Sequence, residues 1–146
     1  PKMTALSGER STGAHPYLVT PEHTAEAREI LGPGKLLAPE QGVILETDRA
    51  KARELALGAL ENYRQLPNYR NNWKRLGFSE DEIEACSDRL LDSLFAIGDV
   101  DAVAERVQAH LDAGADHVCL QAIGGPRGAS FETLMPQWRR IAEALL

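Results

Sequence analysis

His15, Tyr17 and Thr20 are close together in the chain, and their side chains are of types that bind ligands. Residues 17–19 are typical of a short buried strand, Thr20 of a helix N-cap, and Pro21 of the first helical position. A strand that leads directly into a capped helix is the junction of an α/β fold, in which ligands bind at the carboxyl ends of strands. We therefore consider these three residues first as ligand contacts; the alternatives are a packing role for Tyr17 and a capping role for Thr20, and for His15 we favour a hydrogen-bonded core position over an acid or base.

A second candidate group lies near the end of the chain. Gln121 falls near the carboxyl end of a predicted strand over residues 116–123, and a glycine-rich loop, residues 124–130, follows it. Arg127 gives that loop a possible anion-binding side chain, since phosphates often bind at such loops; a solvated arginine is the alternative. Neither a GxGxxG nor a Walker motif is present, so the dinucleotide and P-loop folds are not indicated.

Composition excludes several classes of function. The 146 residues include 16 basic and 22 acidic side chains, a net charge of −6, which argues against general binding to nucleic acid or to an anionic membrane. Cys86 and Cys119 lack metal-ligand spacing and are expected to be reduced thiols of a cytoplasmic protein. We expect no metal site, and no Ser–His–Asp or Cys–His arrangement is indicated.

Hydrophobic periodicity and turn signals divide the chain into alternating strands and helices. Predicted strands are 17–19, 43–45 and 116–123, and the predicted helices include 1–12, 21–31, 49–64, 68–77, 89–97, one following Asp99 or Asp101, and an amphipathic last helix with Leu134, Trp138 and Ile141. Thr20, Asp48 and the Ser79–Glu82 pair are predicted helix caps.

This alternation predicts an α/β fold with parallel strands and right-handed crossovers. About three strands are too few for an open sheet and suit a portion of a TIM (β/α)8 barrel, which needs roughly 250 residues when complete. We therefore expect residues 1–146 to form a single partial-barrel domain, the C-terminal portion of a longer protein; the absence of a Met before Pro1 favours the same interpretation.

Five segments together resemble the luciferase-like monooxygenase superfamily, in particular its coenzyme F420 (deazaflavin)-dependent oxidoreductases. They are residues 13–24 (GAHPYLVTPEHT), 37–50 (LAPEQGVILETDRA), 66–72 (LPNYRNN), 97–107 (IGDVDAVAERV) and 113–121 (AGADHVCLQ). The segments extend over nearly the whole chain, and the last two are the most diagnostic. Their order and spacing carry the resemblance more than any one of them.

The resemblance implies a barrel that binds F420 at its C-terminal face and transfers a hydride between this deazaflavin and a small organic substrate. It implies cofactor binding near Tyr17 and Thr20, with Gln121 and Arg127 as further cofactor candidates, and substrate contacts from Tyr69 and Arg70; a solvated helix is the alternative for these last two. An FMN-dependent monooxygenase is the nearest variant function.

The strands that carry the proton-transfer residues in this family have no counterpart here, so we expect the chain alone to be inactive, and no catalytic residue is assigned. A non-catalytic half-barrel is the alternative. Its exposed sheet edges predict self-association into a dimer or another homo-oligomer.

Overall fold

The computed structural model describes residues 1–124 and 129–146. Eight α-helices and five short strands lie within these ranges. The helices are α1 Lys2–Arg10, α2 Pro21–Leu31, α3 Arg49–Leu60, α4 Pro67–Arg75, α5 Glu80–Ala85, α6 Asp88–Leu94, α7 Val100–Asp112 and α8 Phe131–Leu145. The strands are β1 Gly13–Ala14, β2 Leu36–Leu37, β3 Glu40–Ile44, β4 Phe95–Ile97 and β5 Cys119–Ala122.

Strand β3 is the centre of the sheet. It pairs in parallel with β4 on one side and with β5 on the other, while β1 pairs in parallel with β2, which precedes β3 directly. The prediction of an α/β fold with parallel strands is confirmed. The strands within the described ranges form an open arrangement, as a partial barrel does, and do not close on themselves.

The prediction of a strand over residues 17–19 is wrong. The ladder formed by β1 extends only as far as Pro16, whose carbonyl accepts a hydrogen bond from the Glu40 N–H at 2.8 Å. Leu18 has a φ of +52°, in the left-handed region that a strand cannot include. The apolar character of this segment reflects burial instead, because Leu18 is 3% exposed.

The predicted helix over residues 89–97 is also too long. Helix α6 ends at Leu94, and Phe95–Ile97 forms β4 beside Gly42–Ile44 of β3. This pairing overrides the local helical pattern, since it buries Phe95 to 1% exposure against the sheet. With β1, β2 and β4, each too short to leave a periodic signal, the described residues hold five strands rather than about three.

Helix caps follow the sequence closely. Thr20 accepts a hydrogen bond from the His23 N–H at 3.4 Å, and Asp48 accepts from the first free N–H groups of α3. Ser79 and Glu82 form the predicted capping box at the start of α5. These caps depend on residues within one turn of each other, so the local sequence is sufficient to specify them.

Strand β3 is buried on both faces and separates two apolar clusters. On the inner face, Ile44 packs in a cluster with Leu18, Trp73 and Phe95 beneath α3, α4 and α6. On the outer face, Val43 packs in a second cluster whose members come from β4, α7 and α8. The alternation of side chains along β3 therefore assigns Glu40 to the inner face and Gln41 to the outer face.

A buried hydrogen-bond chain ties the outer face of β3 to two helices. Gln41 Nε2 donates to the carbonyls of Gly42 and Leu94 at 2.8 and 3.1 Å, so its Oε1 must accept from His110 Nε2, 2.9 Å away. His110 Nδ1 then accepts from the Thr24 hydroxyl at 2.8 Å. Burial lowers the pKa of His110 to about 4, which keeps the ring neutral and in this one tautomer.

Crossing a bilayer requires a longer and more apolar helix than any that occurs within residues 1–124 and 129–146.

Gly42 is required at the centre of β3, which a pair of substitutions would test. A Cβ at this position would lie 2.6 Å from the Phe95 ring and 3.2 Å from Ile123, so Gly42→Ala should lower the free energy of unfolding by about 1–3 kcal/mol. In α3, a Cβ on Gly58 meets no atom within 4 Å, so Gly58→Ala should raise it by about 0.5–1 kcal/mol. Urea unfolding measures both; equal effects of the two substitutions would contradict the described register.

Candidate functional site

Two of the predicted cofactor-binding residues meet in the structure. The Tyr17 hydroxyl donates a hydrogen bond to Gln121 Oε1 at 2.7 Å, although the two residues are 104 positions apart. Tyr17 follows β1, and Gln121 lies on β5 opposite Gly42 of β3. Both residues thus come from the carboxyl ends of parallel strands, the position at which α/β folds bind ligands. Because Oε1 of Gln121 accepts the hydrogen bond from Tyr17, the orientation of the amide is fixed, and its other end, Nε2, is a hydrogen-bond donor.

Tyr17 and Gln121 line a cleft of about 960 Å³ on the inner face of the sheet. Helix α3, which includes Glu54, forms one wall together with the residues that follow it, among them Asn62, and residues 121–124 with Ala129 and Leu134 line the other side. A volume of this size is within the range of small-molecule and cofactor sites. We call this space the inner cleft.

Leu18 anchors the floor of the inner cleft. Because its positive φ removes it from any ladder, its backbone groups need other partners. Its N–H donates to Glu40 Oε2 at 3.3 Å, and its carbonyl accepts from Trp73 Nε1 at 3.3 Å. The adjacent Tyr17 is positioned through these two hydrogen bonds.

Glu40 is the residue that our sequence analysis missed. Its carboxyl lines the inner cleft at 5% exposure, and burial raises its pKa to about 7, although the Leu18 hydrogen bond and the charge of His15 act in the opposite direction. Leu18 N–H is the one hydrogen-bond donor to the carboxyl in the described part of the chain. The sequence does contain an indication of a special role for this residue, since Glu40 is the only charged residue in the apolar run over residues 36–45.

A row of aromatic rings extends from the cleft into the core. The ring centroids of Tyr17 and Tyr63 are 5.4 Å apart, those of Tyr63 and Tyr69 are 5.0 Å apart, and those of Tyr69 and Trp73 are 6.0 Å apart. Burial, a hydrogen bond with Tyr63 and the nearby Glu40 charge all raise the pKa of Tyr17. The phenol therefore stays protonated at neutral pH and remains a hydrogen-bond donor.

Three other candidates have structural partners. Thr20 is 3% exposed and caps α2, outside the residues that line the inner cleft. His15 is exposed and its Nδ1 lies 2.5 Å from the Ala38 carbonyl, so the predicted hydrogen bond is present but the core position is not. His23 in the first turn of α2 is also buried, at 8% exposure, because it shares the buried face of α2 with Ala27.

The predicted substrate residues Tyr69 and Arg70 lie on α4. Arg70 forms ion pairs with Glu80 and Glu84 of α5 and donates to the Arg64 carbonyl at 3.0 Å, so its guanidinium joins α4 to α5. Tyr69 packs between two other rings of the aromatic row, and neither residue is among those that line the inner cleft. Arg127 lies outside the described residues; Gly124, the first residue of the predicted loop, lines the cleft.

The electrostatic character of the inner cleft is acidic. Glu40, Glu54 and Glu61 line it, and neither Lys nor Arg does so among the residues that the structure describes. Within the same ranges, His, Cys, Asp and Glu side chains form no group of three or more that could hold a metal ion. The arrangement offers hydrogen-bond donors, aromatic surface and carboxylates to a ligand.

Comparison with known proteins identifies a structural relative. Neither a protein-family model nor a curated protein matches the sequence. Among solved structures, the fold is similar to that of an F420-dependent secondary alcohol dehydrogenase in complex with an F420–acetone adduct, with a TM-score of 0.56 and 16% identity. The match covers 97% of this chain and 46% of that enzyme, so the chain spans about half the length of its structural relative.

The pKa of Glu40 predicts how stability depends on pH. The Glu40 carboxyl has a pKa of about 7 in the folded chain and of about 4.3 in the unfolded chain. Its contribution to the free energy of unfolding is therefore fully present below pH 4, and up to about 3 kcal/mol of it is lost as the pH rises to 7. Glu40→Gln stays neutral, so its free energy of unfolding relative to the parent protein should increase across this range. The buried His23 and His110 act in the opposite direction but cancel in the difference, since both proteins contain them.

Chemical denaturation at several pH values measures this difference. Asn62→Ser, an uncharged change in the same cleft, serves as the control and should shift stability by an amount that does not depend on pH. If the difference between Glu40→Gln and the parent is constant from pH 4 to 8, the carboxyl is not buried as described.

Proposed function

We propose that this chain is part of an F420-dependent oxidoreductase of the luciferase-like superfamily, in which the inner cleft binds the deazaflavin ring and a small organic substrate. The fold similarity to an F420-dependent dehydrogenase over 97% of the chain carries the proposal. The meeting of Tyr17 and Gln121 at the carboxyl ends of parallel strands supports it, since ligands bind there in such folds.

The inner cleft fits the ring portion of the cofactor. Gln121 Nε2 is a donor for a ring carbonyl, Tyr63 offers an aromatic surface, and Tyr17 holds the Gln121 amide in one orientation. When bound, the deazaflavin supplies the hydride chemistry, and the protein supplies binding and orientation. Burial of the cleft floor by Leu18 and Glu40 excludes water from this end of the site.

The negatively charged tail of the cofactor needs a positive or N–H-rich environment, which the acidic cleft lining does not give. We assign the tail to Arg127, the anion-binding candidate that follows Gly124 in the sequence. Thr20 contributes indirectly, since it fixes the start of α2 beside the segment that carries Tyr17. Tyr69 and Arg70 support the substrate side by holding Tyr63 and α4 in place.

A fluorescence titration with F420, and with FMN in parallel, tests this function. We expect saturable binding of F420, weakened about five- to tenfold by Gln121→Ala and less by Tyr17→Phe, in line with the loss of a hydrogen bond of about 1 kcal/mol. Glu29→Gln, an exposed change on α2, is the control and should bind like the parent. Binding of FMN alone would indicate the monooxygenase variant, and binding of neither would contradict a cofactor site in this chain.

Self-association is proposed on a separate observation. Within the described residues, β4 and β5 each pair on one side only, so two strand edges are available for pairing with another chain. Two large apolar side chains, Met3 and Phe131, are also 73% and 72% exposed. We expect light scattering at micromolar concentration to give a dimer or larger species; a monomer would contradict this proposal.

A further inference from the structure

The Glu40 end of the inner cleft combines a buried carboxyl with aromatic surface. Glu40 is 5% exposed, and in the described part of the chain its carboxyl has one hydrogen-bond donor, the Leu18 N–H, and no ion-pair partner. Buried charged groups are normally paired, because removing a charge from water is costly. This carboxyl instead borders an open cleft in which a ligand can supply the missing positive charge.

The surroundings of Glu40 favour a cation over an anion. Glu54 contributes a second carboxylate from α3, and neither Lys nor Arg lines this space among residues 1–124 and 129–146. The negative potential of these carboxylates raises the local concentration of cations and opposes anions.

Two tyrosine rings border the same end. Tyr17 and Tyr63 line the cleft with their ring centroids 5.4 Å apart and their planes inclined by 40°. The face of a tyrosine ring attracts ammonium groups, most strongly where water is excluded. A methylated ammonium group also gains from contact with apolar surface, which the neighbouring Leu55 and Ala59 provide.

We propose that the inner cleft binds an organic cation, a small molecule with an ammonium group, with Glu40 as its counter-ion and the Tyr17 and Tyr63 rings beside it. Assignment of this cation as the substrate rests on the proposed oxidoreductase function, whereas its binding does not. The inference extends that function by naming the charge and chemical class of the molecule that occupies the cleft beside the cofactor.

The cation should bind more tightly as Glu40 ionises. Burial raises the Glu40 pKa to about 7, so affinity should rise about fivefold between pH 6 and 7, about tenfold between pH 6 and 8, and level off above pH 8. Glu54 and Glu61 line the same cleft, and the other titratable groups around Glu40 are His15 and Tyr17 from the β1–α2 segment, Tyr69 from α4 and Cys119, its partner on β5. Glu40→Gln separates the contribution of Glu40 from theirs, since it leaves all of these groups in place.

The test compares choline with dimethylbutanol, its neutral isostere in which carbon replaces the ammonium nitrogen. Both are titrated into the full chain without coenzyme, and the methyl proton signals are followed by NMR. We expect choline to bind at millimolar or lower concentration, and dimethylbutanol to bind at least about tenfold more weakly. Glu40→Gln should reduce this ratio severalfold, to the preference that the tyrosine rings alone provide, and remove the pH dependence, while Glu29→Gln should change neither.

Equal binding of choline and dimethylbutanol, or binding of neither, would overturn the proposal. If Glu40→Gln does not fold, the pH profile of the parent chain and Tyr63→Leu decide instead, and Tyr63→Leu should weaken choline more than dimethylbutanol. Because coenzyme is absent, these outcomes are independent of the F420 titration. If the chain binds F420 but not choline, the proposed oxidoreductase function still stands and only the proposal of a cationic ligand is contradicted.

Discussion

The hydrogen bond from the Leu18 N–H to Glu40 is the constraint on which the site depends. Leu18 is buried with a positive φ, so neither of its peptide groups can join a ladder, and each would be costly if left unpaired. Glu40 and the Trp73 indole satisfy them. One backbone residue thereby joins β3 to α4, and it fixes the turn that brings Tyr17 to Gln121 across the sheet.

The use of a glutamate as the acceptor for the Leu18 N–H has an electrostatic cost, which the structural role alone does not require. A glutamine at position 40 would accept the same N–H without a buried charge, since an amide oxygen is also an acceptor. Instead the chain places an ionisable group where burial moves its pKa into the neutral range. Groups that are strained or destabilised in this way are concentrated at functional sites, where ligand binding offsets the cost.

Local features of the sequence predicted more than the long-range ones. The caps at Thr20, Asp48 and Ser79 depend on neighbours within one turn and were specified correctly. Strand β4 was missed because Phe95–Ile97 becomes a strand only through pairing with β3. Tyr17 and Gln121 were each predicted from strand ends, but their hydrogen bond depends on the register of β3 with β5, which no local pattern contains.

The register of β3 is fixed by polar groups of different chemistry on its two faces. Glu40 meets a backbone donor on the inner face, while Gln41, with both a donor and an acceptor, completes the His110–Thr24 chain on the outer face. A shift of one residue would turn Glu40 toward His110, and the Gly42 and Leu94 carbonyls would lose the hydrogen bonds that they accept from Gln41 Nε2. Such a shift leaves buried groups unpaired on both faces at once. The outer network therefore holds Glu40 in the inner cleft, although it contacts no ligand itself.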